Sequence, residues 1–221
     1  MLKKRISNFI LYNLIFIILI FGLSFAGFYL INYNIFKFKN YEKLDFFIEA
    51  FDYNDDSYLA KYKEGIVRKT SSSNTPILSS EIYCYSPLDT DYTNYFTKFG
   101  VNSDILILSS DSLKNLEEGK ILKEYFVPLS EAFISSLNLD SNKYYINDEE
   151  IFGLQVYSKD DSEFNKNTNF DKLFMFDNSV YKLDFYLLIN KNSVNFSSLM
   201  ENNITNNGVD ALNYLIEVLK E

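Results

Sequence analysis

The stretch Ile105 to Leu108 is a run of four apolar residues with no polar side. A strand that is apolar on both faces is typical of a sheet covered by helices on both sides. Ser109, Ser110 and Asp111 follow this stretch directly and lead into a segment with helical spacing. The pattern therefore predicts a buried central strand in an α/β domain.

Strand-like and helix-like segments alternate before this central strand. Residues 44–51 and 81–85 have strand patterns, and residues 58–67 and 89–99 have helical spacing. Alternation of this kind predicts right-handed crossovers between parallel strands, hence a three-layer α/β domain with a mostly parallel central sheet.

The second half of the chain is less regular. Residues 144–146 and 151–157 form two strand patterns around a polar turn, the charged stretch 159–169 is predicted to be a loop, and residues 183–189 form another strand pattern. A final helix is predicted from Asn207 onward, with Leu212, Leu215 and Leu219 on one face.

The N-terminal segment has the pattern of a transmembrane helix. Residues 9–31 carry no charge, and about 20 apolar residues suffice to cross the hydrocarbon layer. Lys3, Lys4 and Arg5 favour a cytoplasmic N-terminus. The prediction is a cytoplasmic tail and transmembrane helix in residues 1–36 that anchors an extracellular domain, residues 37–221, to the lipid bilayer of a bacterial cell membrane. Cleavage of a signal peptide after Ala26 is the alternative.

Charge and composition exclude several classes of function. All 30 acidic residues lie after Lys39, together with 16 of the 21 basic residues, so this part carries a net charge of −14 and is not expected to bind nucleic acid. The absence of histidine removes the commonest general base and the usual zinc ligand. No metal-binding or cofactor-binding pattern is present, and the sequence predicts a protein that is not an enzyme.

Four segments resemble the extracytoplasmic solute-binding proteins of bacterial ABC importers, the periplasmic-binding-protein-like type 2 group. Their order along the chain, over residues 44–219, carries the likeness. The segments are GVNSDILILSSDSLKNL (100–116), EYFVPLSEAF (124–133), YYINDEEIFGLQVYS (144–158) and LLINKNSVN with NNGVDALNYLIEVL (187–195 and 206–219).

The resemblance implies a domain reduced to about one lobe. The interval from Tyr157 to Tyr181 is too short to hold the second lobe of the family, and Gln155 stands where the family has proline. The implied function is a membrane-anchored solute-binding-like domain, accessory to the permease subunits of an ABC importer, with ligand capture reduced or lost. A protein-interaction or structural domain of the cell envelope is the alternative.

Ligands of open α/β sheets bind beyond the carboxyl ends of the strands. The residues predicted at that edge are Asp52 and Tyr53, Ser86 and Asp89, and Ser109 and Ser110, with Tyr157 from the resemblance. Aspartate, serine and tyrosine side chains suit a sugar or peptide ligand. The same aspartates and serines could equally be helix caps.

Overall fold

The computed structural model describes residues 13–14, 16, 18–29, 40–54, 56–71, 76–139, 141, 143–176, 183–199 and 207–221. Residues 1–39 and Asn40–Glu221 form two separate units. The predicted cytoplasmic tail and its basic residues Lys3, Lys4 and Arg5 lie outside the described residues.

The helix described in the N-terminal unit does not support the predicted membrane span. Residues 13–14, 16 and 18–29 are helical, and the large apolar side chains described there are exposed. Crossing the hydrocarbon layer takes about 20 consecutive residues. Among the residues that the structure describes, no helix combines the length and apolar character that a membrane span requires, so the predicted transmembrane helix at residues 9–31 is not supported.

The second unit contains eight strands and eight α-helices among its described residues, together with 3₁₀ helices at Asn40–Glu42, Gly100–Asn102 and Val194–Leu199. The strands are β1 (Lys43–Ile48), β2 (Asp52–Tyr53), β3 (Ser79–Cys84), β4 (Ile105–Ser109), β5 (Tyr144–Asn147), β6 (Glu150–Tyr157), β7 (Phe174–Met175) and β8 (Phe185–Ile189). The helices are α1 (Asp56–Thr70), α2 (Tyr92–Lys98), α3 (Ser110–Glu118), α4 (Leu122–Tyr125), α5 (Glu131–Ser136), α6 (Ser162–Thr168), α7 (Phe170–Leu173) and α8 (Asn207–Lys220).

Six strands form one mixed sheet in the order β3-β1-β4-β8-β6-β5. Only the β3–β1 and β1–β4 pairs are parallel, whereas β8 is antiparallel to β4 and to β6, and β5 is antiparallel to β6. The prediction of a mostly parallel sheet is therefore wrong, although the α/β class is correct. β5 and β6 must be antiparallel because only Asp148 and Glu149 connect them, and both adopt the positive φ angles of a tight hairpin turn.

β4 lies in the middle of this sheet, as its apolar sequence predicted. All five of its residues are buried, and its neighbours are β1 on one side and β8 on the other. The even and odd positions of the strand enter two different cores. Ile105 and Ile107 pack into one core, and Leu106 and Leu108 pack into the other.

The two faces of the sheet are covered by different helices. The larger core contains residues of the long helices α1 and α8, including Tyr62 and Leu215. The smaller core contains Leu113 and Leu116 of α3, with half-buried aromatic side chains such as Phe96 of α2 packed against it. The smaller core therefore has a thinner cover, made by the shorter helices α2, α3 and α4.

The charged stretch 159–169, predicted to be a loop, contains the helix α6 (Ser162–Thr168). Asp161 caps α6 by accepting a hydrogen bond from the Phe164 amide at 2.9 Å. Inside the helix, the Asn165 side chain accepts a hydrogen bond from the Ser158 amide at 2.7 Å, and Thr168 Oγ1 donates to the Val156 carbonyl at 2.7 Å. The bond from Thr168 to Val156 joins α6 to β6, and the bond between Ser158 and Asn165 fixes the segment that connects them.

Candidate functional site

The carboxyl ends of the three parallel strands β1, β3 and β4 lie at one edge of the sheet. This edge, called here the carboxyl edge, carries Glu49 after β1 and Tyr85 after β3, while β4 ends at Ser109. The Tyr85 amide donates to the Ile48 carbonyl at 3.0 Å, and the Glu49 amide donates to the Ile107 carbonyl at 2.9 Å. The backbone of this edge is therefore fixed by hydrogen bonds across all three strands.

Glu49 is the only acidic residue that is fully buried among the described residues. Its Oε2 atom accepts a hydrogen bond from the Ser109 amide at 2.6 Å. Its Oε1 atom accepts one from Ser112 Oγ at 2.5 Å and another from the Tyr92 hydroxyl. One carboxyl group thus joins the end of β1 to the end of β4, to α2 and to α3.

The partners of Glu49 are neutral hydrogen-bond donors rather than a cation. Burial raises the pKa of the Glu49 carboxyl above its ordinary value, whereas the hydrogen bonds from Ser112, Tyr92 and Ser109 act in the opposite direction. The carboxyl group also lies at the N-terminus of α3, where backbone amides favour negative charge. None of the ion pairs formed by the described residues includes Glu49.

A cleft of about 300 Å³ opens between α2 and α3, beside this carboxyl group. We call it the α2–α3 cleft, and its lining is mostly apolar. The lining includes Tyr92, Thr93 and Phe96 on α2 and Ser112, Asn115 and Leu116 on α3. Because Tyr92 and Ser112 also bind Glu49, the polar floor of the cleft is held in place by the buried carboxyl group.

Only one of the seven predicted site residues belongs to this network. Ser109 supplies its backbone amide to Glu49, and its Oγ atom caps α3 by accepting a hydrogen bond from the Ser112 amide at 3.2 Å. Ser110 follows it, and its amide donates to the Asp184 carbonyl at 2.8 Å. The helix-cap interpretation of Ser109 is therefore correct.

Ser86 and Asp89 lie in the turn between β3 and α2. Ser86 Oγ accepts a hydrogen bond from the Leu88 amide at 3.3 Å, and Asp89 Oδ1 accepts one from the Asp91 amide at 3.0 Å. These bonds shape the turn that leads into α2, the helix that carries Tyr92. Both residues thus act on the site through the backbone of the turn.

Asp52, Tyr53 and Tyr157 lie apart from the cleft. The Tyr53 hydroxyl donates to the Ile82 carbonyl at 2.7 Å, and its ring packs against Phe174 in the larger core. Asp52 is exposed next to it in β2 and pairs with β7.

The Tyr157 ring also packs in the larger core. Its centroid lies 4.9 Å from that of Phe176 and 6.0 Å from that of Phe185. Together with Tyr53 and Asp52, it therefore belongs to the face of the sheet opposite the cleft.

Sequence reasoning missed Glu49, Tyr92 and Ser112. Glu49 falls within the predicted strand 44–51 and is the single charged residue in the run FFIEAF. A charged residue inside an apolar run is expensive to bury and is therefore a signal for a specific partner. Tyr92 was assigned only to an apolar helix face, and nothing in the sequence places its hydroxyl near Glu49.

A second group of carboxylates lies at the opposite edge of the sheet, called here the amino edge. Asp104 Oδ2 accepts a hydrogen bond from the Asp45 amide at 2.9 Å, and its Oδ1 atom accepts bonds from Ser193 Oγ and from Asn195 Nδ2. Burial is the main cause that raises the pKa of Asp104. This network joins the starts of β1 and β4 to the segment after β8.

Asp45 has an unusual environment at the amino edge. Its Oδ1 atom is buried and has no hydrogen-bond partner within the described part of the chain. Burial, together with the nearby charges of Asp104 and Glu81, raises the pKa of Asp45 to about 6, against the opposing effect of Lys43.

Among the described residues, no group of three or more histidine, cysteine, aspartate or glutamate side chains could hold a metal ion.

Comparison with known proteins gives no relative. No protein-family model matches the chain, and neither a curated protein nor a solved structure matches it significantly.

Proposed function

We propose that this chain is a non-enzymatic domain of the solute-binding type, reduced to one lobe, that binds a small molecule in the α2–α3 cleft. The observation that carries the proposal is the Glu49 network. A fully buried carboxyl group fixes two hydroxyl groups, those of Tyr92 and Ser112, in the floor of an otherwise apolar cleft. Apolar clefts with a few fixed polar groups are the usual form of small-molecule sites.

The position of the cleft supports this proposal. It lies beside the carboxyl edge, where open α/β sheets bind their ligands. The sheet order supports it too. β8 lies between β4 and β6 and is antiparallel to both, and residues 158–184 separate it from β6 in the chain. In the solute-binding family, a strand in this place is the one by which the chain returns to the first lobe. Within that interval, the described residues 158–176 pack on this lobe, so a ligand would have to be held by one lobe.

The environment of Glu49 supports binding rather than catalysis. A general acid or base must reach the proton that it transfers. The Glu49 carboxyl has no exposed surface, and its two oxygens already accept three hydrogen bonds. Its role in this proposal is therefore to position Tyr92 and Ser112, the side chains that would contact the ligand.

Thermal unfolding of the full chain tests the proposal. Monosaccharides, short peptides and small aromatic compounds would be added at millimolar concentrations. A ligand present at ten times its Kd raises the free energy of unfolding by about 1.4 kcal/mol, or roughly 3–6 °C in Tm for a chain of this size. We expect at least one class to give a saturable rise in Tm.

A matched pair of variants locates the binding site. Thr93 lines the cleft and Asn94 does not, yet both are exposed on α2. Thr93→Trp should fill the cleft and abolish the rise in Tm, whereas Asn94→Trp should leave it intact. A flat response to every class, or equal loss in both variants, would contradict the proposal and favour a protein-interaction domain.

The solute-binding resemblance also suggests a partner, the permease subunits of an ABC importer. Purification of the tagged chain from cells of its own source would test this part of the proposal. Recovery of permease subunits would support it, and recovery of envelope-assembly proteins alone would contradict it.

A further inference from the structure

The hydrogen bonds of Tyr92 and Ser112 determine what the floor of the α2–α3 cleft can bind. Both hydroxyl groups donate their proton to Glu49 Oε1. A hydroxyl group has one proton to donate and two lone pairs that accept. With both protons directed at the carboxylate, the two oxygens can offer only lone pairs to a ligand. The floor therefore selects a ligand group that donates hydrogen bonds.

The electrostatic surroundings of the cleft add a second preference, for a ligand that carries positive charge. Glu49 lies behind the two hydroxyl groups, and no described lysine or arginine forms an ion pair with it. Tyr92 and Phe96 contribute aromatic rings to the wall, and the faces of such rings attract cations. The part of the chain after Lys39 also carries a net charge of −14. All three features favour a positively charged donor over a neutral one.

The size and lining of the cleft restrict the rest of the ligand. A volume of about 300 Å³ is at the lower end of the range of ligand pockets. Apart from its hydroxyl groups and Asn115, the cleft presents carbon atoms, including those of Phe96 and Leu116. The space thus fits a molecule with one ring and a short arm, and it does not fit a sugar covered with hydroxyl groups.

We infer that the α2–α3 cleft binds a small organic ammonium ion with an apolar, ring-sized body. The ammonium group donates hydrogen bonds to the oxygens of Tyr92 and Ser112, and the ring lies against Phe96 and Leu116. This inference rests on the proposed function, which requires only that some small molecule binds in the cleft.

Three compounds with the same ring test the chemical class, with calorimetric titration of the full chain as the measurement. Benzylamine carries a cationic donor, benzyl alcohol a neutral donor and benzoate an anionic acceptor. We expect benzylamine to bind at least tenfold more tightly than benzyl alcohol, and benzoate to show no binding. Equal affinity for benzylamine and benzyl alcohol, or tighter binding of benzoate, would overturn the inference.

Substitutions on α2 and α3 test the contacts. Tyr92→Phe and Ser112→Ala each remove one acceptor oxygen and should weaken benzylamine binding about tenfold. Tyr95→Phe is the matched control, since Tyr95 lies on the same helix but stacks on Tyr85 outside the cleft. It should change the affinity by less than twofold. An equal loss in Tyr95→Phe, or no loss in Ser112→Ala, would contradict the proposed contacts.

The outcomes separate this inference from the proposed function. If Thr93→Trp blocks the binding of a sugar or peptide while benzylamine does not bind, the ammonium inference fails and the proposed function stands. If no compound of either panel binds, both fail. Melting curves of each variant show whether it is folded, and Ser112→Ala decides the contact test should Tyr92→Phe be unfolded.

Discussion

The two edges of the sheet both carry buried carboxyl groups, but they differ in how these groups are satisfied. At the carboxyl edge, both oxygens of Glu49 accept hydrogen bonds, from partners on β4, α2 and α3. At the amino edge, Asp104 is similarly bonded, whereas one buried oxygen of Asp45 has no partner among the described residues. At the carboxyl edge, the α2–α3 cleft lies beside the network and is lined by Tyr92 and Ser112, which belong to it.

This difference separates a network that can serve binding from one that serves the fold. Tyr92 and Ser112, two of the three partners of Glu49, line the cleft and are half-buried, so a ligand can reach them. The partners of Asp104 join loops to the start of the sheet. Changes at the carboxyl edge should therefore affect both stability and binding, and changes at the amino edge should affect stability alone.

The largest effect is expected from Glu49→Ala. The change removes the acceptor of the buried Ser109 amide and of the half-buried Tyr92 and Ser112 hydroxyl groups, and it creates a cavity, which together lower the free energy of unfolding by about 3 kcal/mol or more. Glu49→Gln keeps one acceptor oxygen but directs an amide group at the Ser109 amide, so a smaller loss of about 1–2 kcal/mol is expected. Urea unfolding measures both values. A loss below about 1 kcal/mol in Glu49→Ala would contradict the described network.

Asp104→Ala should come next, with a loss of about 2 kcal/mol in the free energy of unfolding. The change removes the acceptor of the Asp45 amide, of Ser193 and of Asn195. Urea unfolding again gives the value, and titration with a cleft ligand should show an unchanged affinity at a temperature where the variant is folded. Weaker ligand binding in this variant would contradict the division of roles between the two edges.

The raised pKa of Asp45 predicts how the stability of the folded chain changes with pH. The pKa of Asp45 is raised from 3.8 to about 6 in the folded chain, so the folded state holds this proton more tightly than the unfolded state does. Protonated Asp45 therefore contributes to the free energy of unfolding, and this contribution is complete below about pH 4 and is lost as the pH rises through about 6. Asp45→Asn should remove this part of the decline in Tm between pH 4 and pH 7.

The matched control for this titration is Glu64→Gln, which changes an exposed carboxyl group on α1. Its melting temperature should follow that of the unchanged chain over the same pH range. If Asp45→Asn and Glu64→Gln gave the same pH profile, the buried environment of Asp45 would be contradicted.

The smallest effect is expected at an ion pair away from both edges. Lys69 Nζ on α1 lies 2.6 Å from Glu217 Oε2 on α8, and both side chains are well exposed. Exposed pairs contribute about 0–1 kcal/mol. Lys69→Met should therefore lower the free energy of unfolding by less than about 0.5 kcal/mol in urea unfolding, and a loss as large as that of Asp104→Ala would contradict the ranking.

Apolar patterning was sufficient to predict several elements. The run Ile105–Leu108 predicted the central strand, and the polar turn at Asp148 and Glu149 predicted the β5–β6 hairpin. Both predictions succeeded because burial and turn geometry depend on nearby residues. The α1, α2, α3 and α8 helices were placed for the same reason.

Strand direction and the membrane segment could not be predicted in the same way. The direction of β8 depends on the path of the chain after β6, which residues 158–184 do not encode in any local pattern. The polar stretch 159–169 forms α6 because Asn165 and Thr168 find buried backbone partners. At residues 9–31 the hydropathy pattern predicted a span that the described helix does not support.

The candidate site lies at the edge of the sheet to which the sequence pointed, but only Ser109 of the seven predicted residues belongs to the Glu49 network. The rule for α/β sheets pointed to the residues after β1, β3 and β4, which includes Ser109. Local sequence could not show that Tyr53 faces the opposite core or that Tyr92 and Ser112 meet at Glu49. Tyr92 and Ser112 are 43 and 63 positions away from Glu49 in the chain, so their contacts with it depend on the register of the strands.

A crystal structure of the chain grown with benzylamine is the direct test of an ammonium site in the α2–α3 cleft. We expect the ring between α2 and α3, with its amine nitrogen within hydrogen-bond distance of the Tyr92 and Ser112 oxygens and with Glu49 still accepting from both. Benzylamine bound only elsewhere on the domain, with an empty cleft, would contradict this expectation.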